Sequence, residues 1–448
     1  MIGAGISGLA AATFLDGEGL DLTVLESAST PGGNVRTLRE DGRVIDHAAN
    51  GWLDNEPAMG RLLERVGLVE STIPASDGYG IRWIFADGRM HPAPMGPGPM
   101  VLTALVSPQA KLRLLAEPFL PRGGDARVGD EEDRESVGEF VARRLGPAFV
   151  ERMVGPMVAG IYAADPYQLS LRAAFPRMYE LEREYRSLFL AMLRLRRGGA
   201  PSGHLHTLPG GAGALTDTLV ERLGPRVRCG QTVTTLEQRG DGWRVGTAEG
   251  ALDADVVLLA CPGHVQAELL SPMDDEAAAA LRDIPYSPVA VVVTASAPGS
   301  WEREPDGFGV LAARDADLGG VLGTVFTSCI FPDQAPEGEV LLRTIVGGGI
   351  VPEAAGLPDG EMIARVRAAH EAFFGAECAE PRRVWIFRHP RGIPAYRPGH
   401  LQRVAAVLGA EQRRPGLFCT GNHLQGIGVK DCARQGEAVA ARIRTYFG

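Results

Sequence analysis

The chain has no excess of positive charge: 45 Lys and Arg stand against 55 Asp and Glu, a formal net charge of −10 over 448 residues. Nucleic acid is therefore excluded as a general partner, although a local basic patch can still meet acidic groups. No apolar run reaches the roughly 18 residues needed to cross a bilayer as a helix. The N-terminus lacks a basic segment ahead of its apolar residues, so a secretory signal is rejected. The six cysteines (Cys229, Cys261, Cys329, Cys378, Cys419 and Cys432) form no CxxC pair and have no histidine cluster nearby, which excludes the usual metal sites. Several sit in apolar runs, as Cys261 does after Val256-Val257-Leu258-Leu259, and read as buried thiols in a reducing cytosol. No repeat or low-complexity tract is present. One further absence is local. Only Met1 and Ile2 precede Gly3, where a strand of about five residues is expected, so the chain is expected to begin downstream of its natural start.

What is present begins at that point. Gly3-Ala4-Gly5-Ile6-Ser7-Gly8 opens an Ala/Leu-rich helix, and Leu22-Thr23-Val24-Leu25 then runs into Glu26. This is a GxGxxG dinucleotide fingerprint with its ribose acid at the usual spacing of about 20 residues. The first glycine permits the tight turn, the second lets a pyrophosphate approach the backbone, and the third lets helix pack on strand. The first-turn N–H groups of the helix then face the phosphates.

With 45% hydrophobic residues, the chain is long enough for two or three domains. Three segments read as one discontinuous nucleotide domain: 1–51, 205–270 and 400–448. The middle one carries a helix with Leu215, Leu219 and Leu223, a hairpin about Asp241-Gly242, and a buried strand over 255–260. Residues 95–204 read as helical. Ser107-Pro108 starts a helix with Leu112, Leu115 and Phe119 on one face. Helical spacing continues through Phe149, Met153, Met157 and Val158, and a long helix is expected over 171–197, ending in Arg194, Arg196 and Arg197. Residues 123–133 form an acidic loop. Residues 52–94 and 271–399 form a second, β-rich domain, with strands near 289–294, 309–313, 321–326 and 340–346 and a helix over 361–374.

At the C-terminus, the strand-like Leu417-Phe418-Cys419-Thr420 leads through Gly426-Ile427-Gly428-Val429-Lys430-Asp431-Cys432 into an Ala-rich helix. Small residues at such a junction expose helix N-terminal N–H groups, which suits a phosphate or an electron-rich ring edge. Together with the N-terminal fingerprint and Pro31-Gly32-Gly33, this motif resembles the flavin-containing amine oxidase superfamily. Gly160-Ile161-Tyr162-Ala163-Ala164-Asp165, Leu169-Ser170-Leu171-Arg172 and Phe175-Pro176 narrow the resemblance to oxygen-dependent protoporphyrinogen oxidases. Gly307-Phe308-Gly309, Gly347-Gly348 and the run Gly426–Cys432 fit the same family, in order along the whole chain.

The resemblance implies an α/β + α fold: a discontinuous doubly wound, Rossmann-like FAD-binding domain, a mixed-sheet substrate domain and a helical membrane-binding lobe. It implies oxidation of protoporphyrinogen IX to protoporphyrin IX in haem biosynthesis, with O2 as acceptor and H2O2 released. Coproporphyrinogen III oxidation is the alternative, and would favour a more basic pocket; an amine oxidase or a desaturase-like enzyme is a broader one. A non-catalytic flavin- or porphyrin-binding protein is the rival from another class. FAD contacts carry over to Gly3, Ala4, Gly5, Ile6, Ser7, Gly8, Glu26, Ser27, Asn34, Ala48, Ala49, Asn50, Gly51, Val233, Val407, Ile427, Gly428 and Val429. Arg82 falls where the family pairs an arginine with a substrate propionate, and arginine grips a carboxylate bidentately. Met157, Gly160, Phe308, Leu311 and Ile345 fall on the pocket wall around the macrocycle. The protein supplies no catalytic residue of its own, because the cofactor carries the hard step. Asp165 and His47 read as structural. Peripheral attachment to the cytoplasmic face of the inner membrane is expected, and a homodimer is compatible with the sequence.

Overall fold

The computed structural model describes residues 1–76, 80–120, 133–188, 191, 203–375 and 380–448. The chain packs as two compact units. Unit one comprises Met1–Pro74, Ser202–Ile284 and Leu401–Gly448; unit two comprises Ala75–Pro201 and Pro285–His400. In chain order, the elements that position the candidate sites are helix α1 (Ile6–Leu15), strands β1 (Val24–Leu25), β2 (Arg82–Ala86) and β3 (Arg89–Pro92), and helix α2 (Gly155–Tyr162). Strands β4 (Val227–Arg228), β5 (Val257–Leu259), β6 (Tyr286–Ser296), β7 (Gly309–Ala312), β8 (Val321–Val325) and β9 (Val340–Gly347) follow. Helix α3 (Asp359–Phe374), strands β10 (Arg383–Pro394) and β11 (Leu417–Cys419), and helix α4 (Val429–Phe447) complete the set.

Unit one is built on parallel pairing, β4 with β1 and β5 with β11. Ile2 bridges Leu25 on one side and Leu259 on the other. Met1 and Ile2 therefore fill the central strand position, and the Ala260 N–H donates to Ile2 O (2.9 Å). Such a sheet is covered on both faces, so its strands read as continuous apolar runs, and Val24, Leu25 and Val257 to Leu259 are all buried. Every residue of α1 is buried as well, as a helix apolar on all sides must be. It packs against α4 at small residues: a Cβ on Gly436 would stand 2.8 Å from Ala10 Cβ. The expected hairpin forms from Val233–Arg239 and Gly242–Thr247, with Gly250–Ala254 as a third strand.

Unit two holds a seven-stranded mixed sheet in the order β10-β6-β9-β8-β7-β2-β3. Only β7 and β2 pair in parallel. α3 covers one face, where buried His370 Nε2 lies 2.9 Å from Thr344 Oγ1. On the other face, Ala159 and Ala163 at the α2 end pack with Val289 and Leu322, and Ile345 joins them.

The helical stretch departs from expectation in three places. The single helix expected from 171 is broken into Leu171–Ala174 and Pro176–Tyr185, with Phe175 between them at φ −131°, ψ 59°. Pro176 is the cause, since proline disfavours the α conformation in the residue before it. The spacing from Phe149 to Val158 contains a π-helical turn, Val150–Val154, ahead of α2. The helix Pro108–Ala116 forms as expected, with Ser107 Oγ accepting from the Ala110 N–H (3.3 Å). Phe119, however, does not join its face but lies in the separate 3-10 turn Glu117–Phe119, and Leu112, Leu115 and Phe119 are exposed, Phe119 to 85%, as are Met95, Val101 and Leu102 earlier in the chain. Among the described residues, no helix is long and apolar enough to cross a membrane. Arg194, Arg196, Arg197, most of the acidic loop and Cys378 lie outside the described residues.

Candidate functional site

The fingerprint forms a cradle in unit one. Gly3 has φ +107°, and a Cβ there would stand 2.8 Å from Cys261 N, so the turn out of the central strand requires glycine. A Cβ on Gly8 would meet Gly3 O at 2.1 Å, which is how closely α1 lies on the strand it leaves. Gly5 is different. Nothing lies within 4 Å of where its Cβ would be, and no side chain caps α1 at Gly5. Open space beside uncapped helix N–H groups is what a pyrophosphate requires.

Glu26 ends β1 with its carboxylate fixed by backbone: Ala4 N–H donates to Oε2 (2.8 Å) and Ala28 N–H to Oε1 (2.9 Å). The acid is thus held across the first turn of the cradle. Ser27 and Asn34 are exposed beside this region, and Ala48, Ala49, Asn50 and Gly51 are half-buried. Gly51 leads into Trp52, which pairs with His206; a Cβ on Gly51 would stand 2.3 Å from His206 O. Val233 is buried at the start of the hairpin, whereas Val407 lies wholly within the core with Val404 and Ala410 and offers no surface to a ligand. Ile427 and Gly428 are half-buried at the entrance to α4, where the Gly428 N–H donates to Asp431 Oδ2 (3.1 Å), and Val429 is buried.

Sequence reasoning missed Gln266. Its buried amide donates to Leu259 O (3.1 Å), Cys261 O (2.8 Å) and Thr420 O (2.9 Å), tying the carboxyl ends of β5 and β11 together. Ligands of open α/β sheets bind beyond such strand ends. The cysteines there are inert: burial pushes the Cys261 thiol up to about 12 and the Cys432 thiol up to about 11.

In unit two, Leu311 and Ile345, two of the residues expected around the macrocycle, lie on one sheet face. Residues in register on neighbouring strands share a face. Leu311 pairs with Ile84 of β2 and Gly323 of β8, and Gly323 pairs with Ile345 of β9. This row lies opposite the row of Val310, Thr324 and Thr344, which α3 covers. Arg82 lies two residues before Ile84 and shares its face, in a second row that runs through Gly309 and Val325 to buried Arg343. α2 crosses above the first row. A Cβ on Gly160 would stand 2.7 Å from Leu311 Cδ2, and one on Gly323 would stand 3.1 Å from the same atom. Leu311 is therefore slotted between two glycines, one in the helix and one in the sheet. Met157 is half-buried one turn before Gly160, on the same side of α2.

Ion pairs hold α2 in place at both ends. Before it, the Arg152 guanidinium in the π-helical turn binds Asp87 (2.5 Å) in the β2–β3 turn and Asp315 (2.8 Å) after β7. After it, Arg314 binds Asp165 (2.5 Å) and, further back, Glu151 (3.2 Å). Asp165 also accepts from the Tyr167 N–H (2.9 Å), so its role is structural, as expected. At the start of β2, the Arg82 guanidinium carbon lies 5.3 Å from the centre of the Phe308 ring.

Comparison with known proteins agrees with this geometry. The chain matches the family described as flavin containing amine oxidoreductase over residues 6–444. It is 30% identical to coproporphyrinogen III oxidase of Bacillus subtilis, over all of this chain and 98% of that protein. It is 29% identical to protoporphyrinogen oxidase 2 of Arabidopsis thaliana, over all of this chain and 94% of the relative. A crystal structure described as a candidate protoporphyrinogen oxidase from Exiguobacterium superposes with a TM-score of 0.85 at 26% identity, covering 99% of this chain and 98% of that one. With an open glycine cradle, an uncapped α1 and a fixed Glu26 to receive the dinucleotide, the chain belongs to the flavin containing amine oxidoreductase family and is an FAD-dependent oxidoreductase.

Proposed function

We propose that this flavoprotein oxidises a porphyrinogen to the porphyrin in haem synthesis, passing six electrons and six protons to three O2 and releasing three H2O2. The observation that carries the reading is the end-to-end likeness to porphyrinogen oxidases of bacteria and plants, about 30% identical over the full chain. The sheet face of unit two supports it, because a large apolar ring with carboxylate arms suits Leu311, Ile345, Met157 and Gly160 with a guanidinium at the edge. Bound FAD would supply the two-electron oxidation, taken three times per substrate. The cradle from Gly3 to Gly8 and Glu26 would hold its pyrophosphate and ribose, with Gly428 and its neighbours near the ring. Arg82 would grip one carboxylate and fix the macrocycle in register, while Leu311 and Ile345 exclude water from it.

Coproporphyrinogen III is the substrate favoured. Two bacterial relatives at 30% and 31% identity carry that name, and the Arg82 row includes a second arginine, Arg343. Protoporphyrinogen IX is the second reading, favoured by the plant relatives. Porphyrin fluorescence from the FAD-loaded protein in air, with both porphyrinogens side by side, tests this. Rapid fluorescence with either one is expected and names the substrate; silence with both, despite bound FAD, contradicts the proposal.

Attachment to the cytoplasmic face of a membrane is part of the same reading. Exposed Leu102, Leu112, Leu115 and Phe119, with Lys111 and Arg113 among them, suit the interface of an anionic bilayer.

A further inference from the structure

We infer that Phe308 acts on the substrate through Arg82, as a positioning residue that holds the guanidinium for a carboxylate, rather than as a wall against the macrocycle. The inference rests on the proposed porphyrinogen site. Three observations carry it. The Arg82 guanidinium carbon stands 5.3 Å from the Phe308 ring centre, within reach of the ring's electron-rich face. The two residues are also fixed to one another through the backbone: Phe308 N–H donates to Ile81 O (2.7 Å), and Arg82 pairs in register with Gly309. The glycine before the phenylalanine permits this approach, since a Cβ on Gly307 would stand 2.5 Å from Ile81 O.

The segment that carries Phe308 is secured without the ring. Trp83 Nε1–H donates to Asp306 O (2.7 Å), the Arg303 guanidinium carbon lies 4.8 Å from the Trp83 ring centre, and Phe326 N–H donates to Phe308 O (2.9 Å). The backbone at 308 is thus held from both sides by contacts that do not involve the ring. A guanidinium held over a ring face has lost part of its rotational freedom before the substrate arrives. Less ordering is then needed when the carboxylate binds.

The test is steady-state kinetics of the FAD-saturated enzyme with coproporphyrinogen III and with its tetramethyl ester. Phe308→Leu, and Phe308→Met as a second variant of similar bulk, are expected to raise KM for the acid about three- to tenfold with little change in kcat. Phe308→Tyr keeps the ring and is expected to hold KM near the parent value. In an Arg82→Ala background, Phe308→Leu is expected to add nothing, and on the ester it is expected to cost nothing. An equal penalty in the Arg82→Ala background or on the ester would make Phe308 a direct wall of the macrocycle and overturn the inference. No penalty on the acid from either Phe308→Leu or Phe308→Met would overturn it too. If Arg82→Ala alone leaves KM for the acid unchanged, the carboxylate site at Arg82 fails first, and the inference falls with it.

Discussion

A Cβ on Gly8 would stand 2.1 Å from the carbonyl oxygen of Gly3, whereas one on Gly5, between them, would meet nothing within 4 Å. Two glycines of one motif thus do opposite things. Gly8 closes a helix onto a strand, and Gly5 keeps a space open. Substituting them should separate stability from cofactor binding. Gly5→Val should fold with a melting temperature near the parent and lose its flavin. Gly8→Val should lose stability by 1–3 kcal/mol or more, as about expected for overpacking against fixed backbone. Flavin-to-protein ratios and thermal melts decide it, and a Gly5→Val protein that retains FAD contradicts the cradle.

Arg82→Ala should raise KM for a porphyrinogen about tenfold or more, because a charged hydrogen bond contributes about 1.5–3 kcal/mol. Flavin content should stay the same, since Arg82 belongs to the sheet of unit two. Unchanged kinetics would remove Arg82 from the substrate site.

His370 gives the fold a pH dependence of known sign. Full burial pushes its imidazole down from 6.5 to about 4. Between these values the unfolded chain holds a proton that the folded chain does not, so stability falls as the pH drops through this window. The loss reaches on the order of 3 kcal/mol at its acid end. His370→Gln should flatten this slope in melts taken across the window. A variant that keeps the slope would assign it to another group.

The exposed side chains Leu112, Leu115 and Phe119 should be replaceable by serine at a cost within about 0.5 kcal/mol each, as is usual for surface positions. The triple variant should lose co-sedimentation with anionic vesicles. Equal sedimentation of parent and variant would detach this surface from any membrane role.

What was legible in the sequence was mostly local. The turn at Gly3, the carboxylate of Glu26 and the strands about Val257 and Leu417 each follow from a few neighbouring residues. The Ser107 cap was equally readable, but periodicity does not show where the helix stops, and Phe119 falls in the 3-10 turn after it. The break at Pro176 was readable too, and helical spacing on either side masked it. The placement of α2 was not legible, because Arg152 reaches Asp87 and Asp315, and Arg314 reaches Asp165, across long stretches of chain. The slot of Leu311 between Gly160 and Gly323 depends on that placement. Val407 sits at helical spacing inside a core, and resemblance alone set it beside a cofactor.

The most direct test of the central claim is to mix FAD-loaded protein with coproporphyrinogen III in the absence of air and follow the flavin absorbance. The oxidised flavin band is expected to bleach within the time of one turnover, and admitting air is expected to restore it with the appearance of porphyrin and H2O2. A band that stays unchanged with coproporphyrinogen III, and again with protoporphyrinogen IX, would contradict porphyrinogen oxidation by this flavoprotein.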